Sequence, residues 1–412
     1  MLAIAFACDP EYGSEAAGGW GTVQALAEFA DVSVMLNTSH MANVSAWMER
    51  YPNDNPTFVP VPPVHWGLRL NAAPLRLVRR ATWLARYVGW QRRAFEMASA
   101  LHRDKPFDVV IHASLGIYWM PSVAVDLPMP SIWGPVSGGA PAPRRLRRFQ
   151  GVAGTLGEFA EAAIVGLLSL QPMTRHTWEH ADLRLVETES TRQRLPARLR
   201  SDTRIVNRAI LTRIRPLPDI PRQRYLAFTS PLQSRKGPRL ALSALRHTPP
   251  DVRLLFINSG PEERALRRLA DKLAVADRVE FRGRVPRDEM WDTLAGAAAC
   301  VFTGLREEGG CALAEAMLAG TPVIVLGHGG ARLLAESNTD PSRVAIIEPR
   351  DAQGTARRMG EAMARFSAAP SADRRPYLDQ RPTKRALRAA VEATSSLSSV
   401  DLRRASTSSA AG

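Results

Sequence analysis

Glu307 and Glu315 flank seven residues that include a glycine pair, Gly309-Gly310, and this spacing is the strongest chemical signal in the chain. The apolar run from Ala297 to Phe302 before them predicts a buried strand. After the glycines, the Ala-rich segment through Ala319 has high helix propensity, and Gly320 and Pro322 stop it before the β-rich run Val323-Ile324-Val325. A strand that turns through glycines into a helix presents unpaired backbone N–H groups beside the positive end of the helix dipole, a setting that suits phosphate. Glu315 falls among Ala312, Leu313, Ala314, Ala316, Met317 and Leu318. A carboxylate in such surroundings costs several kcal/mol unless something hydrogen-bonds it, so a polar partner is expected. A second chemical candidate is Gln233-Ser234-Arg235-Lys236-Gly237, which follows one predicted strand, precedes a helix and contains one of only four lysines. It reads either as a phosphate-facing turn or as a solvated one.

The elements that must position these residues alternate. In the first half, Leu2 to Cys8, Val32 to Leu36, Asp108 to His112 and Ser131 to Trp133 read as strands, with Trp20 to Phe29 as a helix. In the second, Tyr225 to Thr229, Arg253 to Asn258 and Val279 to Phe281 read as strands and Arg239 to Arg246 and Glu262 to Leu273 as helices. Alternation of this kind predicts an α/β protein of two Rossmann-like, doubly wound parallel sheets. At 412 residues the chain is long enough for two cores. The expected division is a first domain over 1–210 and a second over 211–394, with the last helix able to return to the first, and a disordered Ser/Thr/Ala-rich tail over 395–412. The proline-dense stretch Ile214 to Pro221 marks the junction.

The segment from Glu307 to Val325 resembles the donor-binding motif of retaining glycosyltransferases of family 4, in which two glutamates are separated by seven residues and followed by a Pro-Val-Ile strand and a Gly-Gly turn, here Gly329-Gly330. The resemblance implies the glycosyltransferase-B architecture. It also implies that Glu307 contacts the donor sugar, that Glu315 binds the ribose, and that the turn at Gly309 and the amides of Gly310, Cys311 and Ala312 hold the diphosphate. Lys236, with Arg235, matches the family's Lys-Gly at the diphosphate. Gly260 belongs to a segment similar to Gly-x-Gly-Pro-Glu, with Asn258 in place of the first glycine. Arg284 and Val285 follow Gly283 in a Phe-x-Gly-x-Val match, whose backbone meets the nucleobase. Two departures stand out: the family's Gly-Phe-Gly is Glu308-Gly309-Gly310 here, and its arginine five residues before the lysine is Pro231.

In the first half, Cys8 to Trp20 resembles the family's glycine-rich first loop, which implies an acceptor-side wall formed by Gly13, Glu15, Gly18 and Gly19. His112 ends a predicted strand where the family has a histidine facing the donor sugar, so the implied catalytic set is Glu307, His112 and Lys236. Ile132 to Gly139 resembles a Gly-Pro-Val-Gly-Gly-Gly stretch of one branch of the family. The implied reaction moves a sugar from a nucleoside diphosphate sugar to a hydroxyl acceptor with retention and without metal or other cofactor. No Asp-x-Asp occurs. A nucleotide-sugar epimerase or hydrolase, and a non-catalytic nucleotide-sugar-binding protein, remain alternatives on the same fold.

Composition bounds the partners. The net charge is +14, carried almost wholly by arginines dispersed along the chain, which argues against a defined nucleic-acid footprint. Cys8, Cys300 and Cys311 lack metal spacing and read as reduced thiols. Apolar residues make up 45% of the chain. No uninterrupted run reaches the roughly 18 to 20 apolar residues of a membrane span, and the N-terminus lacks the basic region of a signal peptide, so a cytoplasmic location is expected. If Leu75 to Phe95 is a helix, Leu77, Ala81, Leu84, Val88 and Phe95 form a core stripe. Arg76, Arg79, Arg80, Trp83, Arg86, Tyr87 and Trp90 fall opposite it, as a peripheral membrane contact on the inner face or as aromatics packed under loops.

Overall fold

The short apolar, β-branched runs become the strands of two parallel sheets in the computed structural model. It describes residues 1–13, 15–52, 56–64, 76–211 and 221–409, with only the backbone described for 76–81 and 398–409. The first sheet contains β1 (Leu2–Ala5), β2 (Ser33–Asn37), β3 (Thr57–Val61), β4 (Val110–Ser114), β5 (Ser131–Val136), β6 (Leu183–Val186) and β7 (Thr203–Ile205), in the order β3-β2-β1-β4-β5-β6-β7. The second contains β8 (Gln223–Phe228), β9 (Arg253–Phe256), β10 (Val279–Phe281), β11 (Ala297–Phe302), β12 (Val323–Leu326) and β13 (Val344–Ile347), in the order β10-β9-β8-β11-β12-β13. Every pairing is parallel, as in Leu2 with both Ser33 and Val110, or Cys300 with both Ala227 and Val323. Helices on both faces bury the strands, which is why the central ones are uninterrupted apolar runs.

In each sheet the strand order reverses once next to the first strand, between β1 and β4 and between β8 and β11. Open parallel sheets bind ligands at that point, beyond the carboxyl ends of the strands. The loops that follow these four strands are therefore where function is sought.

The chain divides into two compact units, 1–139 with 165–212 and 381–412, and 140–164 with 213–380. Each has its own core. The second is built around Leu226, Phe228, Leu254, Phe256 and Ile324 and includes Ala142, Leu146 and Phe149. The first, around Ala3, Val34 and Ile111, takes in Leu387, Ala390 and Val391 of the last helix, Arg381–Ser409. The single break expected near residue 210 is thus one of four crossings. The expected tail is also different: the helix continues to Ser409, because no proline or glycine interrupts it after Pro382 until Gly412. The expected linker lies outside the described residues except for Pro221.

The helix Arg76–Asp104 corrects the membrane reading made from the sequence. Tyr87 and Trp90 are fully buried, with the Tyr87 hydroxyl donating to the Pro121 carbonyl at 3.1 Å and the Trp90 indole N–H to Val61 at 3.1 Å. Phe6 packs edge-on against both rings. Tyr87 and Trp90 of the aromatic side are therefore core, since apolar rings on both faces left periodicity unable to choose between them. Trp83 is exposed, and the side chains of Arg76, Arg79 and Arg80 lie outside the described residues.

Candidate functional site

At the reversal of the second sheet, the turn after β8 and the turn after β11 are stitched together. The amides of Leu305 and Arg306 both donate to the carbonyl of Arg235, at 2.9 and 3.1 Å, and the Thr303 hydroxyl donates to the carbonyls of Lys236 and Gly237. Gly237 has φ of 66° and lies so close to the second turn that a methyl group there would come within 2.3 Å of the Thr303 carbonyl oxygen. Only glycine accommodates both conditions. The consequence is that Lys236 and Glu307, 71 residues apart, form a mostly buried ion pair. The second Glu307 oxygen accepts from the Gly310 amide at 3.3 Å.

Beyond Glu307 the chain enters the helix Cys311–Leu318 through Gly310, which has φ of 75° and gives the helix no side-chain cap. Its first turn thus begins at the positive end of the dipole. Gly309, Cys311 and Ala312 are partly buried along this edge. Gly329 and Gly330 support the turn from beneath: the Gly330 amide donates to the Glu307 carbonyl at 3.1 Å, and a methyl group on Gly330 would come within 1.5 Å of the Glu308 carbonyl oxygen.

Glu315 is buried in this helix, and its carboxylate accepts from Arg287 at 2.9 Å. Arg287 is the polar partner that the sequence demanded without identifying. It opens the helix Arg287–Gly296, just after the Arg284-Val285 segment. Burial raises the Glu315 pKa, with the Arg287 charge opposing that shift. The added carboxylate, Glu308, accepts from the Ala140 amide at 2.7 Å. It therefore serves to hold the segment 140–164 within the second unit. Arg306 helps, donating to the Ala140 carbonyl and pairing with Glu161 at 2.8 Å, and the His328 ring lies 2.9 Å from the Pro141 carbonyl.

The remaining candidates of this unit are more peripheral. Arg235 is exposed and donates to Gln233 at 2.9 Å. Gly260 is pressed against the Leu232 carbonyl, where a methyl group would sit 2.4 Å away, so it shapes the turn after β9. Arg284 is exposed and Val285 partly buried.

At the reversal of the first sheet, Glu15 is the first residue of the helix Glu15–Ala27. It accepts from the Gly116 amide at 2.7 Å and, through both oxygens, from Arg208 at 2.5 and 2.6 Å. Arg208 also meets the fully buried Glu187 at 2.5 Å. Although burial pushes the Glu15 pKa upward, the Arg208 charge and these hydrogen bonds hold it below the ordinary value. Arg208 and Glu187 were not read from the sequence: they lie far from Glu15 in the chain and belong to no motif. His112 is 1% exposed with its Nε2 3.4 Å from the Leu115 carbonyl oxygen, and burial lowers its pKa to about 4. Its ring is neutral at neutral pH, and its Nδ1 is buried without a hydrogen-bond partner among the described residues. Leu115 has φ of 57°, an unusual conformation for a branched side chain and a form of strain that clusters at functional sites.

The glycine-rich loop is ordered by Asp9, whose carboxylate accepts from the amides of Glu11 and Tyr12 and from Asn43 and lies 2.9 Å from His40. Gly18 and Gly19 are buried inside the helix rather than lining a wall. A methyl group on Gly19 would come within 2.2 Å of the Ala7 carbonyl, so it serves helix-to-strand packing, while Gly13 is exposed with open space around it.

Residues 213–366 match the family model described as Glycosyl transferases group 1. The curated relatives include the human GDP-Man:Man(3)GlcNAc(2)-PP-Dol alpha-1,2-mannosyltransferase, 34% identical over 109 residues that cover 25% of this chain and 22% of the relative. They also include the D-inositol 3-phosphate glycosyltransferase of Mycolicibacterium smegmatis, 30% identical over 155 residues that cover 36% of this chain and 35% of the relative. The chain thus spans only about a fifth to a third of the length of these two relatives. Among solved structures, Anabaena HepE in complex with UDP matches with a TM-score of 0.54 at 14% identity over 95% of this chain and 99% of that one. The sucrose-phosphate synthase of Thermosynechococcus elongatus matches with a TM-score of 0.51 at 19% identity over 95% and 98%. Residues 213–366, which include Lys236, Glu307 and Glu315, therefore match the glycosyl transferases group 1 family model, in a chain whose two Rossmann-like sheets have the glycosyltransferase-B fold.

Proposed function

We propose that the protein is a retaining glycosyltransferase that moves a sugar from a nucleoside diphosphate sugar to a hydroxyl acceptor. The observation that carries this reading is the pairing of two buried glutamates with two cations, Lys236 with Glu307 and Arg287 with Glu315, at the reversal of the second sheet. In this reading the donor diphosphate sits on the amides of Gly310, Cys311 and Ala312. Lys236, with Arg235 nearby, neutralises the charge that builds on the leaving phosphate as the glycosidic bond breaks. Glu307 contacts the transferred sugar and Glu315 the ribose hydroxyls. Preorganised donors aimed at the leaving group supply the main rate enhancement, so no metal is required. The acceptor side belongs to the first unit, where neutral His112 and the Glu15 carboxylate lie beside the strand ends.

The curated relatives include GDP-mannose-dependent enzymes and the structural neighbours include one bound to UDP. The test therefore measures consumption of UDP- and GDP-sugars with and without a panel of hydroxyl acceptors, and the anomeric configuration of the product by NMR. Acceptor-dependent turnover with a retained anomer, surviving EDTA, is expected. Inversion, or donor loss indifferent to acceptor, excludes the reading.

A further inference from the structure

The helix Gly151–Leu168 is long and apolar enough, by length and composition, to cross a membrane, although the sequence showed no uninterrupted apolar run of that length. Of its residues only Glu158 is buried. Val152, Leu156, Phe159 and Leu167 are 79, 64, 55 and 69% exposed, and Leu170 and Met173 just beyond it are 59 and 50% exposed. With Ala163 between them, Val152, Leu156, Phe159 and Leu167 recur at helical spacing and form one stripe. The acidic residues point elsewhere: Glu158 is buried and accepts from the Ala142 amide at 3.0 Å, while Glu161 pairs with Arg306. The inner face is thus tethered, and the outer one carries no charge from Val152 to Met173.

A basic turn leads directly into this stripe. Arg144, Arg145 and Arg148 are exposed in the segment Arg144–Gln150, and the Arg147 guanidinium lies over the Phe159 ring, 5.0 Å from its centroid. Apolar side chains and arginines therefore share one surface. Exposed apolar area of this extent marks an interaction site. A second copy carries the same +14 charge and is repelled, whereas a surface of anionic lipid is attracted.

We propose that this helix lies in the plane of an anionic phospholipid bilayer, with Val152, Leu156, Phe159 and Leu167 of its outer stripe among the acyl chains and the preceding arginines at the headgroups. The inference stands independently of the transferase reading. Basic residues with a contiguous apolar face give surface binding that depends on both lipid charge and salt.

Co-sedimentation of the full chain with vesicles of equal parts phosphatidylcholine and phosphatidylglycerol tests it, with pure phosphatidylcholine as the comparison. Binding to the mixed vesicles is expected, falling as salt rises. The Arg144→Gln/Arg145→Gln/Arg148→Gln variant should bind about a hundredfold more weakly, at the usual contribution of one basic residue near such a surface. The Leu156→Asp/Phe159→Asp/Leu167→Asp variant should lose binding while its circular dichroism melt stays that of the parent, because none of the three positions is buried. Absence of binding by the parent protein overturns the proposal. So does retention of binding by the aspartate variant. A parent that sediments as a dimer and becomes a monomer in that variant also overturns it, by identifying a second copy as the occupant.

Discussion

Glu307 and Glu315 are held by different cations, and that separates the behaviour expected of their variants. Glu315→Gln should raise the KM for the donor and weaken binding of the free nucleoside diphosphate, while Glu307→Gln should depress kcat and leave nucleotide binding nearly normal. Uniform binding appears in KM and transition-state binding in kcat, so steady-state kinetics with a nucleotide titration distinguishes the two. Lys236→Ala is expected to act twice. It removes the proposed phosphate contact, and it strands the buried Glu307, so unfolding in urea should show a loss of roughly 1 to 3 kcal/mol. His112 supplies a pH dependence. Its pKa falls from 6.5 to about 4 on folding, so the folded state binds its proton less well than the unfolded one. Its stabilising share is complete above pH 6.5 and is lost as pH falls toward 4, by up to about 3 kcal/mol. Urea unfolding at pH 7 and pH 4.5 should show this dependence in the parent and lose it in His112→Asn.

At the scale of elements, the turns matter more than the strands they join. Gly330→Ala would drive a methyl group into the Glu308 carbonyl and displace the turn that carries both glutamates. It should lose transfer activity and about 2 kcal/mol or more of stability, measured by assay and by thermal melting. Gly157→Ala, in an exposed helix with nothing within 4 Å, should instead gain roughly 0.5 to 1 kcal/mol. The strands around these turns were legible because buried parallel strands are continuous apolar runs, as at Ala297–Phe302. Lys236 and Glu307 were legible because each sits at a turn between two elements, and Glu315 because it is a lone carboxylate in an apolar helix. Their partners were not. Arg287 is 28 residues from Glu315, and Arg208 is 193 from Glu15, distances over which only the folded sheets bring charges together. The burial of Tyr87 and Trp90 was equally hidden, since the arginines beside them suggested an outer face.

At the scale of the whole molecule, the last helix is part of the first unit. Removing 381–412 uncovers the core around Leu387, Ala390 and Val391 and removes the pairing of Lys384 with Glu28. Hydrogen exchange should then accelerate in β1, β2 and β4 while β8 to β13 keep their protection. Equal acceleration in both sheets would show that the two cores are not separate cooperative units.

The clamp on Ala140 and Pro141 by Glu308, Arg306 and His328 gives the gene an unusual grammar. No single cut yields the second unit whole, because its core includes Ala142, Leu146 and Phe149, which are encoded before β6 and β7 of the first. A recombination that exchanges everything after residue 212 inherits Glu308 without the Ala140 amide it binds, and a hybrid protein must carry 140–164 along with the second sheet to stay intact. On the ribosome the same order imposes a wait. The segment emerges well before the strands that receive it, with its apolar helix already made and nothing yet built to hold its inner face.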